Sequence, residues 1–530
     1  MHSEVQGGVS LISNLAVPPM LFGQMVQPAP GGPGNVVLNT LVLILGTLAI
    51  SLPLGVFAAF LMARTNLPGR RLFLFLIAMI LVVPLYLQTG AWQAGFGIQG
   101  WFTVATEIEL IRGMAGAIWV HAVYAFGWVT VIVAVGLRLA SRELEEEALL
   151  HVSSASVIRN VTLPAVAGAV GIAALWVAVV TAGEMTVTDL FRVRTYAEEI
   201  YVAHAATADM EAATLQVLPG ILVTALLVGL GLVLCSRLMP RDEAISLSRL
   251  RDFDLGPLRW LACAAMTAIA LVIIGIPLLN LVYRAGVQFS TDAGGAAIQS
   301  WNGVKFLDMV FIESVRQFGD EFRNSLIVAT ICASLVLFAA TLLAWFGGAG
   351  RPQATGAYLI VALFLAIPGP LLGVFVIRLL GGFPAAYDSL AAPCLAISMR
   401  TLPFATIIMW HALRSLPTSM LDAARQEGAG PFARLTLIAL PARWPAAVAA
   451  WLVVMVLAMG DLSASQLVQV PGLETLANRV FDRLHSGAYD QVCGMFLAVL
   501  GFFAIMTALV FWCLASWQRQ MSVQRQEGRK

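Results

Sequence analysis

The chain has 530 residues, 59% of them hydrophobic and only 12% charged, with a mean hydropathy of +0.85. A water-soluble domain carries roughly 25% charged residues, so these values exclude an ordinary soluble enzyme or binding module and indicate a polytopic membrane protein. The formal net charge of +1 says little by itself, and no nucleic-acid partner is expected.

Residues 1–35 lack a basic segment followed by an apolar one, so no cleavable signal peptide is expected. We read them as an extracytoplasmic N-terminal segment. Apolar blocks of about twenty residues then recur, the length that crosses a hydrocarbon core of about 30 Å, and lipid requires each to be helical. Eleven spans are expected, near 36–63, 72–92, 114–137, 165–187, 217–238, 260–285, 324–349, 356–379, 389–413, 442–462 and 494–518. The resulting fold class is an all-α polytopic helical bundle. If the segments after the odd-numbered spans face the cytoplasm, they hold 20 of the 31 basic residues. That asymmetry places the N-terminus outside and the C-terminus inside. Six cysteines lie singly in or beside apolar runs and read as packing residues, and no metal-ligand spacing occurs.

The chain repeats itself. "NTLVLILGTLAIS" from Asn39 resembles "NSLIVATICASLV" from Asn324, Pro84 faces Pro368, the Leu-Pro at 164 faces that at 441, and Glu184 in "AGEMTVTDL" faces Asp461 in "MGDLSASQL". The order is preserved, which means two homologous halves in parallel orientation. The first half is placed at 36–238, a basic cytoplasmic linker at 239–259, the second half at 260–518 and a cytoplasmic tail at 519–530. The helix at 260–285 has no counterpart in the first half. In the loop before Asn324, "KFLDMVFIESVRQFGDEF" (305–322) has the spacing of an amphipathic helix lying on the membrane surface or on the bundle.

Between spans nine and ten stands "DAARQEGAGPFARLTLIALP" (422–441). Asp422–Glu427 favours helix, Gly428 suits a left-handed helix end, and Pro431 fits the first turn of a second short helix that runs to Pro441. The equivalent loop of the first half reads "EALLHVSSASVIRNVTLP" (147–164). Aligned at an offset of 275, Glu147 matches Asp422, Ala148 matches Ala423 and Ser153 matches Gly428, with two residues missing before Leu163-Pro164.

The second loop resembles the EAA loop of membrane permeases in binding-protein-dependent ABC importers: Asp422, Ala423, Ala424, Gly428, Ile438, Leu440 and Pro441 fit that pattern at full spacing. The first copy departs from it at Leu149 and Ser153. With "RTNLPGRR" after the first span and "GEMTVTDLFRVRTYAEEIY" after the fourth, the chain is similar to the fused permeases of ferric-iron importers, a group close to thiamine and some phosphonate permeases. The resemblance implies that two ABC ATPase subunits grip the loops through Glu147, Ala148, Ser153, Leu163 and Pro164 and through the second-loop residues named above. It also implies that a soluble extracytoplasmic binding protein delivers the substrate. ATP would be hydrolysed by the partners: only Lys305 and Lys530 occur, and neither ends a phosphate-binding loop. No cofactor is expected on this chain, and its site is a transport path in the bacterial inner membrane.

Ionisable residues at membrane depth usually face protein or a water-filled path. Glu184 and Asp461 are repeat-related and read either as path or gate residues or as structural partners of backbone or arginine. Arg400 could attract an anionic chelate, but snorkelling to the surface is the favoured reading. His121 and His411 read as packing residues. The rival class is a proton-coupled secondary transporter built of two halves; a membrane enzyme finds no catalytic motif.

Overall fold

The computed structural model describes residues 33–138, 142–206, 226, 253–291, 297–348, 351–470, 472–486 and 489–527. Residues 1–32 of the expected N-terminal segment, the span expected at 217–238 with Cys235, and residues 239–252 of the linker lie outside the described residues. Among the described residues, six helices are long and apolar enough to span a membrane: Asn35–Arg64, Gly113–Leu137, Leu258–Gly286, Gly303–Gly347, Ala391–Arg414 and Gln491–Trp517. Four further helix pairs are long and apolar enough together but are bent, by 99° (Arg70–Val82 with Leu85–Thr106), 50° (Ile158–Ala165 with Ala167–Ala182), 107° (Gln353–Ala366 with Gly369–Leu380) and 83° (Pro431–Ala442 with Trp444–Met459). Counting each pair as one span gives ten, at the places of ten of the eleven expected spans.

Proline explains the two sharpest bends. Pro84 and Pro368 take extended backbone angles (ψ 150° and 145°), and the helices restart immediately after them. Proline cannot donate to the preceding turn and pushes the residue before it out of the helical region. The amphipathic segment is helical and lies on the bundle, one of its two expected placements: it forms the first turns of the 45-residue helix Gly303–Gly347, with Val310 and Phe318 turned inward. Ahead of it stands a short antiparallel hairpin, Val287–Thr291 with Ala297–Trp301, which the apolar pattern did not announce.

The repeat is visible element by element. The π-helical turns Ile158–Thr162 and Leu435–Ala439, the short helices Leu163–Ala165 and Leu440–Ala442, and the helices Ala167–Ala182 and Trp444–Met459 all stand 277 residues apart. Each widened turn immediately precedes the Leu-Pro pair, where the proline ring crowds the carbonyl four residues back and a wider turn relieves it. The unmatched helix Leu258–Gly286 covers the first half: Met266 and Ile273 join a core cluster with Phe73, Ile77, Ile80 and Phe126. A larger core joins the halves, with Tyr86, Leu87 and Ala91 of the first packed among Cys332, Met459 and Phe496 of the second.

The halves also meet at a crossed junction. Gly460, in the second half, lies against Pro84 of the first: a Cβ built on it would stand 2.4 Å from Pro84 Cγ. Its counterpart Gly183, in the first half, lies against Pro368 of the second, where a Cβ would stand 3.5 Å from Pro368 Cα. Both glycines have ordinary backbone angles (φ −92° and −93°), so space alone decides what each site accepts. Gly460→Val should therefore lower the melting temperature of the purified protein, with an overpacking cost of about 1–3 kcal/mol. Gly183→Ala should leave it within about 0.5 kcal/mol of the wild type, as a thermal melt of the two variants will show.

Candidate functional site

The two proline breaks and the ends of Ala167–Ala182 and Trp444–Met459 enclose a cavity of about 150 Å³ between the halves. Glu184, Asp461 and Arg400 all line it. Each carboxylate follows the last turn of its helix and caps the backbone that comes next. Thr186 N donates to Glu184 Oε1 (2.7 Å) and Val187 N to Oε2 (3.0 Å). Ala464 N and Ser465 N both donate to Asp461 Oδ2 (3.2 Å each). Each acid also faces a base on the third helix of its own half: Arg400 Nε stands 3.1 Å from Asp461 Oδ1, and His121 Nε2 stands 3.5 Å from Glu184 Oε2.

Two readings of the sequence are thereby corrected. Arg400 does not snorkel to a surface, because the buried Asp461 carboxylate holds it at the cavity wall. His121 is more than packing: its ring is 2% exposed, Nδ1 lies 2.8 Å from Ala117 O, and Nε2 points at Glu184. At the 277-residue register the counterpart of His121 is Ser398, not Arg400, so the repeat did not announce this pairing. His411 packs edge-on against Trp517 at 5.7 Å. The cavity floor, toward the Leu-Pro loops, is aromatic. Trp128, Trp176 and Phe404 cluster with ring centroids 5.1–6.1 Å apart, and Trp176 stands about 12 Å below Glu184 along its helix.

The loops sit at the opposite end of the same helices. In the second, helix Thr418–Gln426 ends at Gly428, whose φ of +84° is the left-handed conformation glycine tolerates. Ala429 N reaches back to Ala424 O (2.9 Å) and Gly428 N to Arg425 O (3.1 Å), closing the helix end. Pro431 opens the next helix. Asp422, Ala423, Gly428 and Pro441 are exposed, whereas Ala424, Ile438 and Leu440 are half-buried. Phe432 and Leu437 present bare apolar surface (62% and 74% exposed).

The first loop folds alike but in a different register from the alignment at 275. Helices Arg142–Leu149 and Thr418–Gln426 end 277 residues apart, as do all the elements that follow. The counterpart of Asp422 is thus Glu145, not Glu147, and that of Gly428 is His151, not Ser153. No residues are missing before Leu163. Without a glycine the helix end lacks a left-handed residue, and Val152 N bonds to Ala148 O (3.0 Å) as in a plain helical turn. Glu147, Ser153, Leu163 and Pro164 are exposed and Ala148 half-buried. Glu145 is 1% exposed: it pairs with Arg64 and accepts from Thr162 Oγ1 (2.7 Å), while Arg64 Nη1 donates to Leu137 O (3.0 Å). In the second half Arg443 fills this place from another direction, donating to Ala412 O (3.2 Å) and Ser415 O (2.8 Å).

A family model described as "Binding-protein-dependent transport system inner membrane component" matches residues 338–523, the span that contains the second loop and Asp461. Among known proteins, the putrescine transport system permease PotI of Escherichia coli is 26% identical over 253 residues, 44% of this chain and 89% of that protein. The spermidine/putrescine permease PotC of Haemophilus influenzae is 27% identical over 234 residues, 41% of this chain and 82% of its own length. The Fe(3+)-transport system permease FbpB 2 of Haemophilus influenzae is 22% identical over 459 residues, 85% of this chain and 84% of its own. The chain is a fused permease subunit of an ABC importer. As such it is a multi-pass inner-membrane transport component, in a family that works with ATPase and substrate-binding partners.

At the permease's far end, away from the loops, an ionic contact joins the halves. His485 Nε2 lies 3.0 Å from Asp189 Oδ2, and His485 Nδ1 lies 2.9 Å from Phe481 O. Both ring nitrogens face acceptors, so the ring fits as an imidazolium. Burial works against that charge, but the Asp189 hydrogen bond, the Phe481 carbonyl and Asp482 outweigh it and raise the pKa of His485. Nearby, burial and then Asp189 push the Glu198 carboxyl up to about 7. Both groups hold their protons more tightly folded than unfolded, so both contribute stability that declines as pH rises. For Glu198 the decline runs from its ordinary value to about pH 7; for His485 it continues through its raised value. Melting temperature should accordingly fall between about pH 5 and pH 8, and Glu198→Gln should flatten the lower part of that slope. A flat wild-type profile would contradict this assignment. Glu145→Ala, which strands the buried Arg64, should destabilise the permease by about 3–5 kcal/mol, against about 0.5 kcal/mol for exposed Glu147→Ala; thermal melts of the two will check it.

Proposed function

We propose that this permease carries ferric iron across the inner membrane through the cavity between its halves. The observation that carries this reading is the match of one chain, across both halves, to the Fe(3+) permease of Haemophilus influenzae; the polyamine permeases match about one half each. The relatives' substrates differ, so the transported ion is the element to test. In cells expressing the permease with its neighbouring transport genes, uptake of radiolabelled ferric iron should exceed the background of a deletion strain, and uptake of radiolabelled spermidine should not. The reverse result would reassign the substrate to polyamines.

In this reading the chain binds no cofactor, catalyses no reaction and borrows its energy. Two ATPase subunits dock on the loops at 142–165 and 418–442, which lie at the end of the bundle where Arg64, Arg70, Arg71 and Arg414 gather. This basic end is cytoplasmic; the N-terminus is extracytoplasmic and the C-terminus cytoplasmic. ATP closure draws the loops together, and each rigid fourth helix carries the movement to Glu184 or Asp461. A substrate-binding protein docks at the far end. Glu184, Arg400 and Asp461 then border the path. Transport driven by a proton gradient without ATP would restore the secondary-transporter reading.

The second loop has the open glycine turn and the exposed acid, so it takes the larger share of coupling. Asp422→Lys or Gly428→Trp should cut uptake by about tenfold or more with the protein still present and folded in the membrane. Ser153→Trp should act more weakly. Uptake assays and ATPase activity of the assembled importer will check this order.

A further inference from the structure

The hydrogen-bonding inventory of the cavity is one-sided. Its only carboxylates among the lining residues, Glu184 and Asp461, are already committed to four backbone N–H groups and to the two bases described above. The donors are not. Arg400 spends Nε on Asp461, its side chain is one-third exposed, and its two Nη groups have no hydrogen bond among the described residues. Tyr86, 2% exposed, lines the cavity with a hydroxyl that has no partner among the described residues. Trp176 lines it too, and its Nε1 also has none among them; an indole N–H and a guanidinium donate only. Finally, the twelve-residue helix Leu85–Phe96 begins at this cavity; Leu87 N and Gln88 N bond to Pro84 O, but the N–H groups of Leu85 and Tyr86, at the helix start, have no partner within it and favour negative charge.

We propose that the cavity between the two proline breaks is a donor-lined site for an oxyanion, a carboxylate or phosphate group, and that the permease passes its cargo as an anion or an anionic chelate. The inference rests on reading the cavity as the translocation path. A volume of about 150 Å³ is room for about five waters at about 30 Å³ each, and so for one small oxyanion. A bare metal cation or a polyamine would need free carboxylates, and both carboxylates of the wall are already paired; ferric iron fits when wrapped in oxygen-rich anions.

The test uses the full-length permease in lipid nanodiscs, equilibrated with radiolabelled citrate, inorganic phosphate or spermidine. Saturable binding of citrate or phosphate is expected, weakened about tenfold or more in Arg400→Gln, with no saturable binding of spermidine. Citrate alone would assign a carboxylate, phosphate alone a phosphoryl group. Because Arg400→Gln also strips Asp461 of its partner, Tyr86→Phe is the cleaner variant. It removes a hydroxyl that has no hydrogen-bond partner among the described residues, so the melting temperature should stay at the wild-type value while anion affinity falls severalfold. Saturable spermidine binding, no saturable binding of either anion, or anion binding untouched by both substitutions would overturn the proposal. Uptake measured on Arg400→Gln separates the two layers. Lost uptake without anion binding to the wild type keeps the path and overturns the anion preference. Anion binding that both substitutions weaken, with uptake intact, upholds the oxyanion site and removes it from the path.

Discussion

Gly183 and Gly460 each lie against the helix-breaking proline of the other half, and the rest of the structure depends on that close approach. Because each glycine directly precedes the acid of its own half, the contact fixes where Glu184 and Asp461 stand relative to the two breaks. Proline breaks leave free helix starts, the acids cap the chain that follows the fourth helices, and the bases opposite them complete a polar ring in an otherwise apolar interface. Residues without a Cβ bring the halves close together at this end, and an aromatic cluster lines the other.

The two loops stand at the far end of the same fourth helices, so in the proposed coupling each half supplies a lever. Sixteen helical residues separate the Leu-Pro junction from the cavity acid in both halves, about 24 Å of rigid rod. The levers are anchored differently. Arg64 ties the first span, the end of the third and Glu145 together in the first half, whereas Arg443 reaches from the fourth helix to the end of the third in the second. Each guanidinium satisfies carbonyls that a helix end leaves unpaired, so the same mechanical need is met from opposite sides. The buried Glu145 and exposed Asp422, equivalent in register, show how far the two loops have diverged in what they offer a partner.

Much of this was legible in the sequence. Apolar runs of membrane length located ten described spans, and the repeat found both loops and both acids. The φ of Gly428 and the helix start at Pro431 follow from the backbone limits of those residues. What escaped has physical reasons. The first loop's register was misread by two residues because aligning side chains without a glycine anchor rewards Glu147 over Glu145, and burial, which separates them, is not written in residue type. Pro84 and Pro368 were visible as repeat markers, but a hydropathy run continues smoothly through a break. Arg400 and His121 were judged alone, whereas their partners lie 61 and 63 residues away on another helix.

The path proposed between the halves requires the crossed junction to open in each transport cycle. A Cβ on Gly183 would lie 3.7 Å from Pro368 Cβ, within the spacing of about 3.5–4.5 Å that a disulfide requires. The most direct measurement is therefore iron uptake by the assembled importer carrying Gly183→Cys and Pro368→Cys, oxidised and then reduced. Uptake should stop in the cross-linked state and return on reduction, while fully cross-linked protein that transports at the wild-type rate would contradict the account.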